Sequence, residues 1–203
     1  MTTESEKLRL SDFINGLIIP VIIGILILAW PTVLAPGLRA IDPSYTLNAI
    51  LVDGFLEAIM IIAIPMLFGL LWNRWAGGIS GFLLGTLYAI YWSVQYVTFQ
   101  LPPTDISLMG YILSAMLIGY IAGSISKGSY SFIRMVIAGI IAAVVGWCFY
   151  VAAGILSTIP GTISTLDPYT VFITLTPRII YGIIIPIIAK VFTWYGVIPR
   201  RMS

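Results

Sequence analysis

Three ionisable residues lie inside long apolar stretches of the sequence, away from the ends of those stretches. Asp53 and Glu57 belong to one stretch, and Arg178 belongs to another. A charged side chain costs about 2.5–3.5 kcal/mol at the centre of a bilayer, so each of these residues should face a partner or a wet cavity. Asp53 and Glu57 are four positions apart, which places both acids on one face of a helix. This set of charges is able to form an internal ion pair or to bind a charged solute.

Glu57 and Arg178 are expected at the same depth in the membrane. Glu57 follows Asn48, where its apolar stretch begins, by nine residues, and Arg178 follows Thr170 by eight. In a helix these separations correspond to ~13 Å and ~12 Å. Both helices are predicted to enter from the outer side. The sequence therefore predicts that Arg178 meets Glu57, or both acids, inside the bundle.

Aromatic and polar side chains are expected to share the outer half of the membrane with these charges. Small-molecule pockets are mostly apolar or aromatic and contain a few fixed polar groups, so converging faces of this kind would form a pocket. The predicted solute-binding set is Glu57, Arg178, Asp53, Gln95, Trp92, Tyr88, Trp147, Tyr150 and Tyr181. The alternative interpretation is a structural ion pair together with aromatic residues at the membrane interface.

The composition of the chain predicts that the elements positioning these side chains are membrane-spanning helices. The chain has 203 residues, of which 60% are hydrophobic and 9% are charged, whereas an ordinary soluble domain has about 25% charged residues. Six apolar stretches are each close to the ~20 residues that cross the hydrocarbon core. They predict an all-α fold and a single transmembrane domain over residues 1–203. The predicted spans are 13–34, 48–71, 77–98, 108–126, 132–156 and 170–192.

The distribution of positive charge predicts the orientation. With the N-terminus in the cytoplasm, the inner side carries Lys7, Arg9, Arg74, Lys127, Arg134, Lys190, Arg200 and Arg201. The outer side then carries only Arg39, which agrees with the excess of Lys and Arg found in cytoplasmic loops. We therefore expect both termini to be cytoplasmic in a multi-pass protein of the cell (plasma) membrane.

The composition also limits the chemistry. The chain has no histidine, its one cysteine is Cys148, and its net charge is +2. These counts argue against catalytic histidine, a transition-metal site, an internal disulfide and a nucleic-acid partner. No phosphate-binding loop of the G-x-x-x-x-G-K-[ST] type is present, so partner chains would have to supply any ATP-driven step. We expect no enzymatic activity, no metal and no cofactor.

Small residues recur at helical spacing in three of the predicted spans. Close backbone approach supplies much of the packing between helices in lipid, because apolar side chains gain little by leaving lipid for each other. Packing within the chain is the expected role of these stripes, and docking to another membrane subunit is the alternative. The stripes are Gly77, Gly81 and Gly85; Ala115, Gly119 and Gly123; and Ala138, Ala142 and Gly146.

The layout resembles the substrate-binding S component of energy-coupling factor transporters. The runs 77–85 and 119–127 look like the glycine-rich helices of that family. The resemblance implies six helices, both termini inside, a solute site in the outer half of the membrane and partner subunits that provide the energy. The first helix differs from the family, since Gly16, Pro20 and Gly24 stand at the spacing where the family often has Ala-x-x-x-Ala.

The leading functional interpretation is a membrane-embedded subunit that binds or transports a small solute. Arg178 would hold an anionic group, or Glu57 and Asp53 would hold a cationic one. The second interpretation is a non-catalytic accessory or structural subunit of a larger membrane complex, with the glycine stripes as contacts between subunits. An ion-coupled carrier, with Thr174 and Thr176 as further oxygen ligands, and an intramembrane enzyme are less favoured.

Overall fold

The described part of the chain is entirely helical apart from its connections. The computed structural model describes residues 18–42, 54–159 and 166–195. Its helices are α1 Ile19–Ile41, α2 Phe55–Leu71, α3 Arg74–Thr98, α4 Ser107–Ser126, α5 Phe132–Ile155 and α6 Pro168–Trp194. Helices α3 to α6 are long and apolar enough to cross a membrane. The all-α fold is confirmed, and the four apolar helices are compatible with a membrane protein. The number of spans and the side of the termini stay predictions.

Helix α1 continues past the residues that were expected to end it. The first predicted span ends at residue 34, but the helix runs through Pro31, Pro36 and Gly37 as far as Ile41. A proline inside a helix removes one backbone hydrogen bond and bends the helix, and membrane helices tolerate this loss more readily than soluble ones do. The predicted beginnings of the first two spans, 13–17 and 48–53, lie outside the described residues.

Helix α2 lies at the centre of the bundle, where it contacts α3, α4 and α6. Its middle part, Ala58–Ala63, is a π-helix, in which the N–H of Ile64 bonds to the carbonyl of Ile59, five residues earlier. Pro65 follows directly and has no N–H to offer the carbonyl of Ile61, so the regular α pattern is already broken at this turn. The helix is held by fully buried apolar side chains, which include Leu56, Met60, Met66 and Leu70.

The remaining helices pack around α2 in chain order. Each of α3, α4 and α5 contacts the helix that follows it in the chain, and α1 lies against α3. The turn between α2 and α3 is tight because the Oδ1 atom of Asn73 accepts a hydrogen bond from the N–H of Ala76 (2.7 Å) and so caps α3. Helix α6 is the least buried of the four long helices, with 22% of its most apolar stretch inside the protein, against 39–44% for the others.

The small-residue stripes face one another inside the chain. A Cβ atom on Gly77 would collide with the carbonyl oxygen of Gly119, and one on Gly81 would collide with the carbonyl oxygen of Ala115. The backbones of α3 and α4 therefore touch directly, which is possible only because Gly77 and Gly81 have no side chains at the contact. The stripe on α5 is also buried; it consists of Ala138, Ala142 and Gly146. Internal packing of the stripes is confirmed.

Asp105 joins the loop between α3 and α4 to the segment that follows α5. Its Oδ1 atom accepts hydrogen bonds from the N–H of Ser107 (2.8 Å) and the hydroxyl of Ser157 (2.6 Å). Its Oδ2 atom accepts from both the N–H and the hydroxyl of Thr158 (3.1 Å each). Burial alone would raise the pKa of Asp105, but the hydrogen bonds from Ser157, Ser107 and Thr158 outweigh it and hold the pKa well below its usual range. The ionised carboxylate therefore fastens this end of the bundle.

Replacing Asp105 by asparagine should destabilise the protein by about 1–3 kcal/mol, because an NH₂ group then faces donors that need an acceptor. The folded-state pKa of Asp105 lies below its unfolded value of about 3.9. Its stabilisation is therefore fully present above that unfolded value and is lost as the pH falls through the folded-state pKa. The measurement is the melting temperature of the purified protein in detergent between pH 7 and pH 2.

The matched control is Ser157→Ala, which removes one donor and keeps the carboxylate. This variant should lose less stability than Asp105→Asn at pH 7 and should retain most of the acid dependence. An Asp105→Asn protein that loses stability on acidification as steeply as the unmodified chain would show that the carboxylate does not carry this dependence.

Candidate functional site

Glu57 and Arg178 form an ion pair between α2 and α6. The Nη2 atom of Arg178 donates a hydrogen bond to the Oε1 atom of Glu57 at 2.6 Å. The Nη1 atom of the same guanidinium donates to the hydroxyl of Ser114 on α4 at 3.1 Å. The ion pair expected from the equal depth of the two charges is confirmed, and it ties three helices together.

The two members of the pair differ in exposure. The side chain of Arg178 is 4% exposed, whereas that of Glu57 is 26% exposed. The guanidinium is also covered by the ring of Tyr150 on α5, whose centroid lies 4.3 Å from Cζ, a cation–π contact. A carboxylate, a hydroxyl and an aromatic face from three helices therefore contact the guanidinium of Arg178. The carboxylate is the member of the pair that remains accessible.

A cavity of about 750 Å³ lies beside the ion pair, with walls from α2, α5 and α6. This volume is within the range of small-molecule sites, roughly 300–1,000 Å³. The wall is mainly apolar, with the charged pair and a few polar groups on one side. Its apolar members are Phe55, Ala58, Ile62, Ile173 and Pro177. The cavity has the mixture of apolar surface and fixed polar groups that binds small organic molecules.

Four residues of the predicted solute-binding set line this cavity: Glu57, Tyr150, Arg178 and Tyr181. Trp147 is not among the lining residues, but it supports the wall from behind, because its Nε1 atom donates to the hydroxyl of the lining residue Thr174 at 2.9 Å. Asp53 lies outside the described residues.

The other three predicted residues, Tyr88, Trp92 and Gln95, are on α3 and do not line the cavity. Tyr88 is 1% exposed and packs edge-on against Tyr111 of α4, with ring centroids 4.8 Å apart. Trp92 packs against Tyr88 in turn, and Gln95 is half-buried. Tyr88 and Trp92 lie away from the cavity because this face of α3 is turned toward α4 and not toward the seam between α2 and α6.

Ser114 is the polar partner of Arg178 that the sequence analysis missed. A signal was present, because Ser114 follows the start of its predicted span by six residues, or ~9 Å of helix. That depth is close to the level predicted for Arg178. Serine carries no charge, however, so it costs much less than arginine inside a membrane span, and its presence in a span does not by itself predict a partner.

Comparison of the chain with protein-family models, with curated proteins and with solved structures gives no match. Among the described residues, no group of three or more His, Cys, Asp or Glu side chains is placed to hold a metal ion. The function has to be inferred from the geometry of the cavity and the ion pair.

Proposed function

We propose that the chain is a membrane-embedded subunit that binds a small solute in the cavity beside Glu57 and Arg178 and takes part in its transport. The observation that carries the proposal is the position of the ion pair in the wall of a cavity of about 750 Å³. An ion pair that was enclosed on all sides by packed side chains would offer no charge to a solute. Here one carboxylate faces the cavity.

The proposal includes six spans, both termini in the cytoplasm and a site in the outer half of the plasma membrane. Helix α1 has 23 residues, enough to cross the hydrocarbon core, and α2 reaches span length with the predicted residues 48–53 before it. With this orientation the ion pair lies in the outer half of the membrane, about ten residues past the beginning of α6. The basic residues Arg74, Lys127, Arg134 and Lys190 lie near the opposite ends of the helices.

Partner subunits are part of the same proposal. The resemblance to the S component of energy-coupling factor transporters suggests that the energy for transport comes from other chains. The large exposed apolar surface of α6 would face lipid or such a partner. The interpretation as an accessory subunit without a site loses support, because the glycine stripes that would have formed its contacts are used inside the chain.

The experiment compares solutes that co-purify with the unmodified protein and with a Glu57→Gln/Arg178→Gln double variant. Removing both charges together avoids leaving one of them unpaired, so the double variant is expected to fold. Both proteins are purified in mild detergent, denatured and extracted, and the extracts are compared by mass spectrometry. A solute bound to the unmodified protein at no less than ten times its level on the variant is the expected result.

The control is the oligomeric state of the two proteins by size-exclusion chromatography. Equal solute profiles, together with loss of a co-purifying protein partner from the double variant, would contradict solute binding and support the accessory role. Asp105→Asn serves as a second control, since it perturbs the loops and leaves the cavity charges in place.

A further inference from the structure

The charge that a solute meets in this cavity is negative. Glu57 is 26% exposed and Arg178 is 4% exposed. Two terminal nitrogens of Arg178 are already directed to Glu57 and Ser114, and the face of its guanidinium is covered by Tyr150. The guanidinium is therefore almost completely enclosed by its present neighbours, whereas a cationic group can approach the more exposed carboxylate directly.

The backbone of α6 adds an acceptor to the same wall. Pro177 has no N–H, so the carbonyl of Ile173, four residues earlier, lacks its regular helical donor. Ile173 lines the cavity. The hydroxyl hydrogen of the neighbouring Thr174 is used in a bond to the carbonyl of Thr170 (2.7 Å). The lining residues therefore supply a second acceptor besides the Glu57 carboxylate, together with the hydroxyl groups of Tyr150 and Tyr181.

The rest of the cavity wall is apolar and would bind an apolar part of the solute. Phe55 and Ile173 are each about half exposed, and Ile62 forms a buried part of the lining. A strongly hydrated inorganic cation would gain nothing from this surface, and the described residues offer it too few oxygen ligands for a cage of six or more. A molecule with one charged end and an apolar body would satisfy both parts of the wall.

We infer that the solute is a small organic amine, bound with its ammonium group on the carboxylate of Glu57 and its apolar body against Phe55, Ile62 and Ile173. This inference rests on the proposed function, because it names the class of solute for the same cavity. Arg178 acts as a positioning residue that holds the Glu57 carboxylate in place through their hydrogen bond, and it does not itself contact the ammonium group.

The test measures the electrostatic preference of the cavity with charged thiol reagents. The chain has one cysteine, Cys148, so Cys148→Ala gives a background without thiols. Ile62→Cys then places a thiol in the cavity wall, at a position that is 3% exposed and is reached through the cavity. The probes are 2-aminoethyl methanethiosulfonate, which is cationic, 2-sulfonatoethyl methanethiosulfonate, which is anionic, and neutral methyl methanethiosulfonate.

We expect the cationic reagent to react about tenfold faster than the anionic one, after each rate is divided by its rate with free 2-mercaptoethanol. Adding Glu57→Gln should bring this ratio close to one or below it. Cys148 in the otherwise unmodified chain is exposed and gives the reference ratio for a thiol on the outer surface of the bundle.

Each other outcome overturns a stated claim. An anionic reagent that reacts as fast as the cationic one, or faster, overturns the amine inference and leaves solute binding intact. A cationic preference that persists in Glu57→Gln overturns the role of this carboxylate. If even the neutral reagent fails to reach the thiol, the cavity is closed and the proposed function itself fails. The ratio in the chain that retains Glu57 is decisive even if Glu57→Gln does not fold.

Discussion

Replacing Arg178 by methionine is expected to lower the free energy of unfolding by about 3–5 kcal/mol. The substitution leaves the Glu57 carboxylate without its 2.6 Å partner and leaves the Ser114 hydroxyl without a donor. Removing one member of an ion pair costs more than the pair itself contributes, because the remaining carboxylate is still about three-quarters buried and has lost its counter-charge. Unfolding is followed by tryptophan fluorescence while a denaturing detergent is titrated into the purified protein.

A double-mutant cycle separates the loss of the pair from the loss of packing. The Arg178→Met/Glu57→Gln protein should regain most of the stability that Arg178→Met loses, since no unpaired charge is left. Equal stability losses for the single and the double variants would show that the guanidinium acts through its contacts with Ser114 and Tyr150 and not through its pairing with Glu57.

Replacing Gly77 by alanine should destabilise the protein by about 3 kcal/mol or more, at the upper end of what overpacking costs. The new methyl group would collide with the carbonyl of Gly119 and lie 2.6 Å from the Cα atom of Gly69. Both neighbours are backbone atoms of other helices, so no side chain can move aside. Helices α3 and α4 would have to separate, and the same unfolding titration measures the cost.

The adjacent glycine provides the matched control. A Cβ atom on Gly78 would lie 3.4 Å from the Cβ atom of Tyr120, which is ordinary contact. Gly78→Ala should therefore be neutral or stabilising by up to about 1 kcal/mol, because alanine favours the helix more than glycine does. If the two alanine variants had equal stability, the direct backbone contact between α3 and α4 would not limit the packing of the bundle.

The sequence could predict those features that depend on how a single residue behaves in lipid. A buried charge is costly wherever it lies in a span, so Glu57 and Arg178 could be paired by depth before their neighbours were known. The glycine stripes are similar, because in lipid a small residue is the main route to close packing. The structure shows the expected close approach of two helix backbones, in which Gly77 contacts Gly119 directly.

The features that could not be predicted depend on how each helix is rotated in the bundle. Tyr88 and Trp92 share a face with one another in the sequence, but only the packing of α3 shows that the face meets α4. The bond between Asp105 and Ser157 joins residues 52 positions apart in two different loops. Hydropathy and helical periodicity describe one helix at a time, so they predict neither the face that a helix turns to its neighbour nor a hydrogen bond between two loops.

The π-helical turn of α2 determines the direction in which Glu57 points. A π turn amounts to one extra residue accommodated in an α-helix, and each residue turns the helix by about 100°. The wide segment, Ala58–Ala63, lies between Glu57 and the deeply buried half of α2. If one residue of this segment were deleted, Glu57 would rotate by about 100° around the helix axis and would point away from Arg178. Among homologues, a single-residue gap at this place would therefore separate proteins that have the ion pair from proteins that lack it.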